Sequence, residues 1–522
     1  LDSRRGFSRL KSIFSLLSGK SDGDDWAWPW RSWLGALFFG LAVSGTAQGQ
    51  SVLTYHGSTD RSGNYIVPPL SWERARNIRL DPSFQPRIAG HLYAQPLYWR
   101  PPGSAAGQLL VATEDNNVYA IDASSGREIW RRQLDKPVAL STLECGNIDP
   151  LGITGTPVID ETTQTIYLAA MVADAAGPHH RVFAVSLKDG SPLPGWLVDI
   201  AEVLAARGQH FNARDQNQRG ALAILAGRVY VPYGGHYGDC GGYRGWVIGI
   251  GLRNPSDIVS WSTRGQGGGI WAPGGIASDG RSLFVATGNT IGVSTWSDGE
   301  AVFRLSPDLR RQDAPEDFFA PADWPSLDSR DADLGGTNPL PLEVPASSGK
   351  QALVLALGKD GRAYLLDRRR LGGIGGSLAS EIVATRPIRT APAAYPAGEG
   401  VYVAFEGSGA HCPDSRRGDA LTVLQIRAGS PPTLVTGWCG TLQGEGSPIV
   451  TTTDGHSNPI VWIVGAEGDN RLHGYRGDTG EPLFGGGGPQ DAMTGLRHFQ
   501  GLLAADNRLY VGADGRLYAF VF

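Results

Sequence analysis

Lysine is nearly missing from this chain. Six of its 46 basic residues are Lys, no Lys/Arg block lies in the folded part, and the net charge is −5. That balance argues against nucleic acid as a partner. Several catalytic signatures are also absent: H-E-x-x-H for zinc, G-x-x-x-x-G-K-[ST] for phosphates, and C-x-x-C-H for haem. A lone G-x-S-x-G, Gly19 to Gly23, lies outside any strand-to-helix pattern and reads as chance. The four cysteines have neither metal-finger spacing nor an adjacent pair, so no metal site is expected. Long apolar runs are lacking too, apart from Trp33 to Val43. Arg31 precedes that run, and the small residues Gly45 and Ala47 follow it. The run is short for a membrane span, and the pattern predicts a signal peptide over residues 31–47 and a periplasmic or secreted protein. Residues 1–30 read as a presequence or an overextended start and are left out of the fold.

Glycine (73) and proline (34) are abundant, together roughly a fifth of the 522 residues, which suits many short strands joined by turns. The stretch "NNVYAIDASSGREIW" shows the unit. Val118 to Ile121 alternates as a strand does, Asp122 to Gly126 makes a tight reversal, and Trp130 needs a neighbour against which to bury its ring. Related third strands begin at Val118, Val182, Val247, Val302, Ala363, Leu421, Leu472 and Leu517, at intervals of 45 to 65 residues. Each is preceded by two further β-rich runs. Four strands per unit at this period predict an all-β fold, an eight-bladed β-propeller of four-stranded antiparallel blades, over residues 52–522. Seven blades is the alternative if the Leu421 copy is misread. The last unit has only three strands, so an N-terminal strand within residues 77–85, "NIRLDPSFQ", is expected to close the ring.

The block "VYAIDASSGREIW" resembles the repeat of pyrroloquinoline-quinone (PQQ)-type propellers, the quinoprotein alcohol dehydrogenase-like superfamily. The resemblance extends through "VLTYHGSTDRSG", "CGNIDPLGITGTPVID", "GGIWAPGGIASDG", "DADLGG" and "GKDGRAYLLDRR". It is similar in particular to secreted bacterial members. The resemblance implies two functions. One is a scaffold for a protein or small-molecule ligand, acting as a monomer. The alternative is a PQQ- and Ca²⁺-dependent oxidoreductase of an alcohol or sugar, although the adjacent-cysteine ring usual in the alcohol dehydrogenases is missing.

Propeller topology gathers two sets of loops at one mouth of the channel. Second-to-third-strand loops bring Glu114, His236, Asn289, Lys359 and Glu467. Inter-blade loops bring Gln218, Arg219, Asp333, Glu445 and His498. Such convergence marks a binding site, while capping of strand ends would use the same residue types. The acids of "DSRDADLGG", Asp328 to Gly336, fall short of a Ca²⁺ loop and read as solvated, and His179-His180 reads as an exposed loop. Four cysteines allow three pairings. Blade placement selects Cys145–Cys240 and Cys412–Cys439, both at the channel mouth.

Overall fold

The computed structural model describes residues 50–311, 313–413 and 420–522, so the expectations for residues 1–30 and 31–47 lie outside it. Eight four-stranded antiparallel blades form the ring, three of them each joined by a fifth, short strand. Blade 1 comprises Leu97–Trp99, Gln108–Ala112, Asn117–Asp122 and Glu128–Gln133. The innermost strands of blades 2 to 8 are Val158–Asp160, Ala223–Leu225, Ala277–Ser278, Leu340–Ala346, Ala393–Ala397, Ile449–Thr452 and Leu502–Ala505. The Leu421 copy is the third strand of blade 6, Ala420–Arg427, which removes the seven-blade alternative. Blade 8 takes its outer strand from Arg79–Leu80, paired with Val521 and Phe520. Both disulfides join the expected partners.

The opening hairpin explains the repeat. Asp122 Oδ1 accepts bonds from the N–H and hydroxyl of both Ser124 and Ser125, and Gly126 takes a φ of +74°. Trp130 crosses to blade 2, where its indole N–H donates to the Leu187 carbonyl at 3.0 Å. Its ring lies on Gly190, the turn glycine of that blade, where a Cβ would come within 2.6 Å of it. Blade 6 repeats the device without having shown it in sequence. Trp438 donates to the Gly477 carbonyl at 2.8 Å and rests on Gly480. Trp196 packs edge-on to Tyr167 within the cluster shared by blades 2 and 3, and Trp261 meets Phe303 of blade 4 at 4.8 Å. These rings are wedges between blades. Replacing Trp130 with Ala should cost about 3–5 kcal/mol in equilibrium denaturation, the usual penalty for a large buried aromatic.

A second feature was not legible in the repeat. The segment from Val52 to Ile66 runs through the channel and bonds to inner strands on many sides. Val52 bridges Tyr98 of blade 1, and Leu53 accepts from Ile159 of blade 2. Ser278 of blade 4, Ala394 of blade 6 and Val450 of blade 7 donate to Thr59, Ser62 and Gly63. Asn64–Ile66 then lies parallel to Val450–Thr452. The centre of this plug is Arg61, fully buried with φ +64°. Its guanidinium donates to the carbonyls of Ile276 (3.0 Å), Leu222 (2.8 Å) and Tyr55 (3.1 Å) and to the Thr54 hydroxyl (2.6 Å).

Two expectations are corrected. His179 and His180 lie on the strand Gly177–Ser186, not in a loop, because the hairpin of blade 2 is ten residues long on each side. His179 sits between Asp199 and Asp174, and His180 is buried. The Asp328 to Gly336 stretch is not a solvated loop either. It ends the helix Trp324–Arg330 and turns inward, burying Asp333.

Candidate functional site

Strand direction places the inter-blade loops and the second-to-third-strand loops at one end of the channel, around a cavity of about 650 Å³. Tyr55 of the plug packs against Ala221 and Ala391, two residues below the lining residues Arg219 and Arg389. The plug therefore lies directly beneath the cavity.

Eight of the ten residues read from the sequence meet here: Arg219, His236, Asn289, Asp333, Lys359, Glu445, Glu467 and His498. Two do not, because their side chains serve neighbouring backbone. Glu114 accepts the Gly152 N–H at 2.7 Å, and Gln218 donates to the Gly220 carbonyl at 2.6 Å. Lining residues missed from the sequence include Trp271, Tyr237, Tyr243, Arg389 and Phe499. Trp271 stands in the quoted block "GGIWAPGG". Arg389 and Arg219 share a readable signal, a cation four residues ahead of the alanine that opens an inner strand.

Most charges in the cavity are paired. Lys359 Nζ holds Asp333 at 2.6 Å and Asp331 at 3.0 Å, and Asp333 also accepts the Asn289 N–H at 2.8 Å. Arg389 pairs with Glu445, His498 Nδ1 with Glu467 at 2.9 Å, and the Tyr243 hydroxyl donates to Asp239 at 2.7 Å. His236 Nε2 donates to the Arg214 carbonyl at 3.0 Å. Burial lowers both His236 and His498, and the nearby Arg219 charge lowers His498 further. Both rings are therefore neutral at pH 7. Arg219 Cζ lies 4.8 Å from the Phe499 ring and 5.8 Å from that of Trp271, and Lys359 Nζ is 5.1 Å from the same Trp271 ring.

Behind the wall, Glu300 accepts the Leu334 N–H, and burial with the Asp333 carboxylate nearby pushes it up to about 9. Burial likewise pushes Glu114 up to about 7. A carboxyl raised in the folded state binds a proton that the unfolded chain has released, so its contribution is lost as pH rises from 4.5 through 7. Glu114→Gln should therefore match the parent in stability near pH 4 and exceed it at pH 8, by on the order of 3 kcal/mol. Denaturant midpoints at the two pH values check this.

Comparison with known proteins bears on the fold. The model of the family described as outer membrane protein assembly factor BamB matches residues 71–193, which take in blade 1 and the first three strands of blade 2. The quinohemoprotein alcohol dehydrogenase ADHIIG from Pseudomonas putida HK5 superposes with a TM-score of 0.64 at 15% identity, covering 90% of this chain and 80% of that one. The fold is that of a PQQ-like β-propeller. A quinohemoprotein alcohol dehydrogenase from Comamonas testosteroni gives 0.59 at 16% identity, again covering 90% of this chain and 80% of that one. A europium-containing methanol dehydrogenase gives 0.60 at 14%, covering 90% of this chain and 98% of that one. No curated protein matches the sequence.

The PQQ-like fold raises the question of a quinone held beside a divalent cation, and the residues at the mouth do not fit one. A cation placed between Asn289 and Asp333 would face the Lys359 ammonium, which already occupies one oxygen of Asp333. Among the described residues, no three His, Cys, Asp or Glu side chains converge as ligands. The Trp271 ring, the flat surface available for stacking, is already approached by two cations.

Proposed function

We propose that this PQQ-like propeller is a binding scaffold that seats its ligand in the cavity at the channel mouth and performs no redox step there. The observation that carries the reading is the cavity itself. Loops of many blades build it above the plug, and its volume of about 650 Å³ falls in the range of small-molecule sites. Tyr237, 70% exposed at the lip, adds an aromatic surface open to solvent. Two disulfides fit an oxidising compartment, and we read the protein as exported to the periplasm or beyond and monomeric. Among the described residues, no helix is long and apolar enough to cross a membrane. The match to a family described as an assembly factor leaves a protein segment as the other kind of occupant.

The test is a thermal-shift screen of small polar molecules on the parent and on Asn147→Trp, in which an exposed lining residue is exchanged for a large ring. Ligands should raise the melting temperature of the parent and lose at least tenfold in affinity on the variant, whose unliganded stability stays within about 0.5 kcal/mol. Dye-linked alcohol oxidation after addition of PQQ and Ca²⁺ would contradict the reading.

A further inference from the structure

The charges of the cavity leave one group over. Lys359, Arg389, Glu467 and Asp239 each have a partner within the wall. Among the described residues, none accepts a hydrogen bond from Arg219. Its guanidinium lines the cavity, held only by the faces of Phe499 and Trp271. Arg219 is half-buried and faces the cavity, and a wall that pairs its other charges but leaves this fork open is arranged for an anion from outside. Burial lowers Arg219 only to about 10, so it remains charged at neutral pH.

The surroundings restrict the anion. A planar guanidinium matches a carboxylate with two parallel N–H···O bonds. Five carboxylates also line the cavity, those of Asp239, Asp331, Asp333, Glu445 and Glu467, so a doubly charged phosphate is opposed more strongly than a singly charged anion. The same carboxylate oxygens are acceptors. At the rim, where the Asp331, Glu445 and Glu467 side chains are 64%, 38% and 45% exposed, they can receive hydroxyl donors. Tyr237, in the lining and open to solvent at the lip, offers a flat apolar face to a ring.

We propose that the mouth cavity binds a hydroxylated monocarboxylate of the sugar-acid class, with its carboxylate on Arg219 and its hydroxyls towards the rim. This rests on the cavity being the binding site, and the experiment separates the two claims. Binding of D-glucuronate, D-glucose and inorganic phosphate is measured by calorimetry on the parent, Arg219→Gln, Arg219→Lys and Asn147→Trp proteins, with thermal melts confirming that each is folded. Glucuronate should bind at least tenfold more tightly than glucose or phosphate. Arg219→Gln should weaken it by about 10- to 100-fold, the range of a charge-assisted hydrogen bond, and Arg219→Lys by less. Should Arg219→Gln fail to fold, the glucuronate-to-glucose ratio on the parent decides. Equal binding of glucose and glucuronate, lost on Asn147→Trp, would overturn the carboxylate assignment and leave the cavity as the site. Preference for phosphate would overturn it as well. Failure of all three probes would overturn the inference, while the ligand screen on Asn147→Trp judges the cavity separately.

Discussion

Arg61→Met should lower the stability of the protein by about 3–5 kcal/mol, read from the denaturation midpoint, although it keeps much of the side-chain volume. The Arg61 guanidinium is fully enclosed, and its bonds tie the inner strands of blades 3 and 4 to the chain turning through Thr54 and Tyr55. A hydrogen bond to a charged group contributes about 1.5–3 kcal/mol, and a buried acceptor left without its donor costs about 1–3 kcal/mol. The thioether supplies no donor, so the Leu222 and Ile276 carbonyls lose bonds that water cannot easily replace. Arg61→Lys should fall between, since an ammonium reaches fewer of these acceptors. A methionine variant as stable as the parent would show that the plug does not hold the inner strands together.

Deleting residues 77–85 should abolish cooperative unfolding in calorimetry, an effect larger than any single substitution. Arg79 and Leu80 pair with Val521 and Phe520, and Asp81 continues the edge by donating its N–H to Ala519 and pairing with Arg508 at 2.8 Å. Phe84 packs on Tyr510 with ring centroids 5.7 Å apart. Without this segment, Arg516–Val521 becomes a bare strand edge, and blades 1 and 8 lose the link that joins them. A truncated protein melting in one sharp transition at the parent temperature would contradict closure by this strand.

What could be read from the sequence was what repeats. The turn of Asp122 and Gly126 and the wedge of Trp130 recur in part in several blades, so copies such as "SLKDGSPLPGW" remained visible, and strand polarity then assigned the loops to one mouth. The plug occurs once. Val52 to Ile66 has neither period nor copies, and its meaning lies in contacts with residues hundreds of positions away, such as Arg61 with Ile276. Blade 6 was the weakest copy because its wedge, Trp438, follows a strand lacking the Asp-x-x-Ser-Gly turn, although the ring packs as Trp130 does. At the site, topology gave the loop but not the direction of the side chain. Glu114 and Gln218 sit on the right loops and bend back to bond backbone. Trp271 was passed over because an aromatic among glycines reads equally well as core.

The measurement that tests the central claim most directly is hydrogen–deuterium exchange with and without the tightest ligand from the screen. Binding at the mouth predicts protection confined to the lining segments, residues 235–243, 288–290, 331–333 and 497–499, with the outer strands of the blades unchanged. Protection concentrated on the outer strands or at the opposite end of the channel, with these four segments unaffected, would contradict it.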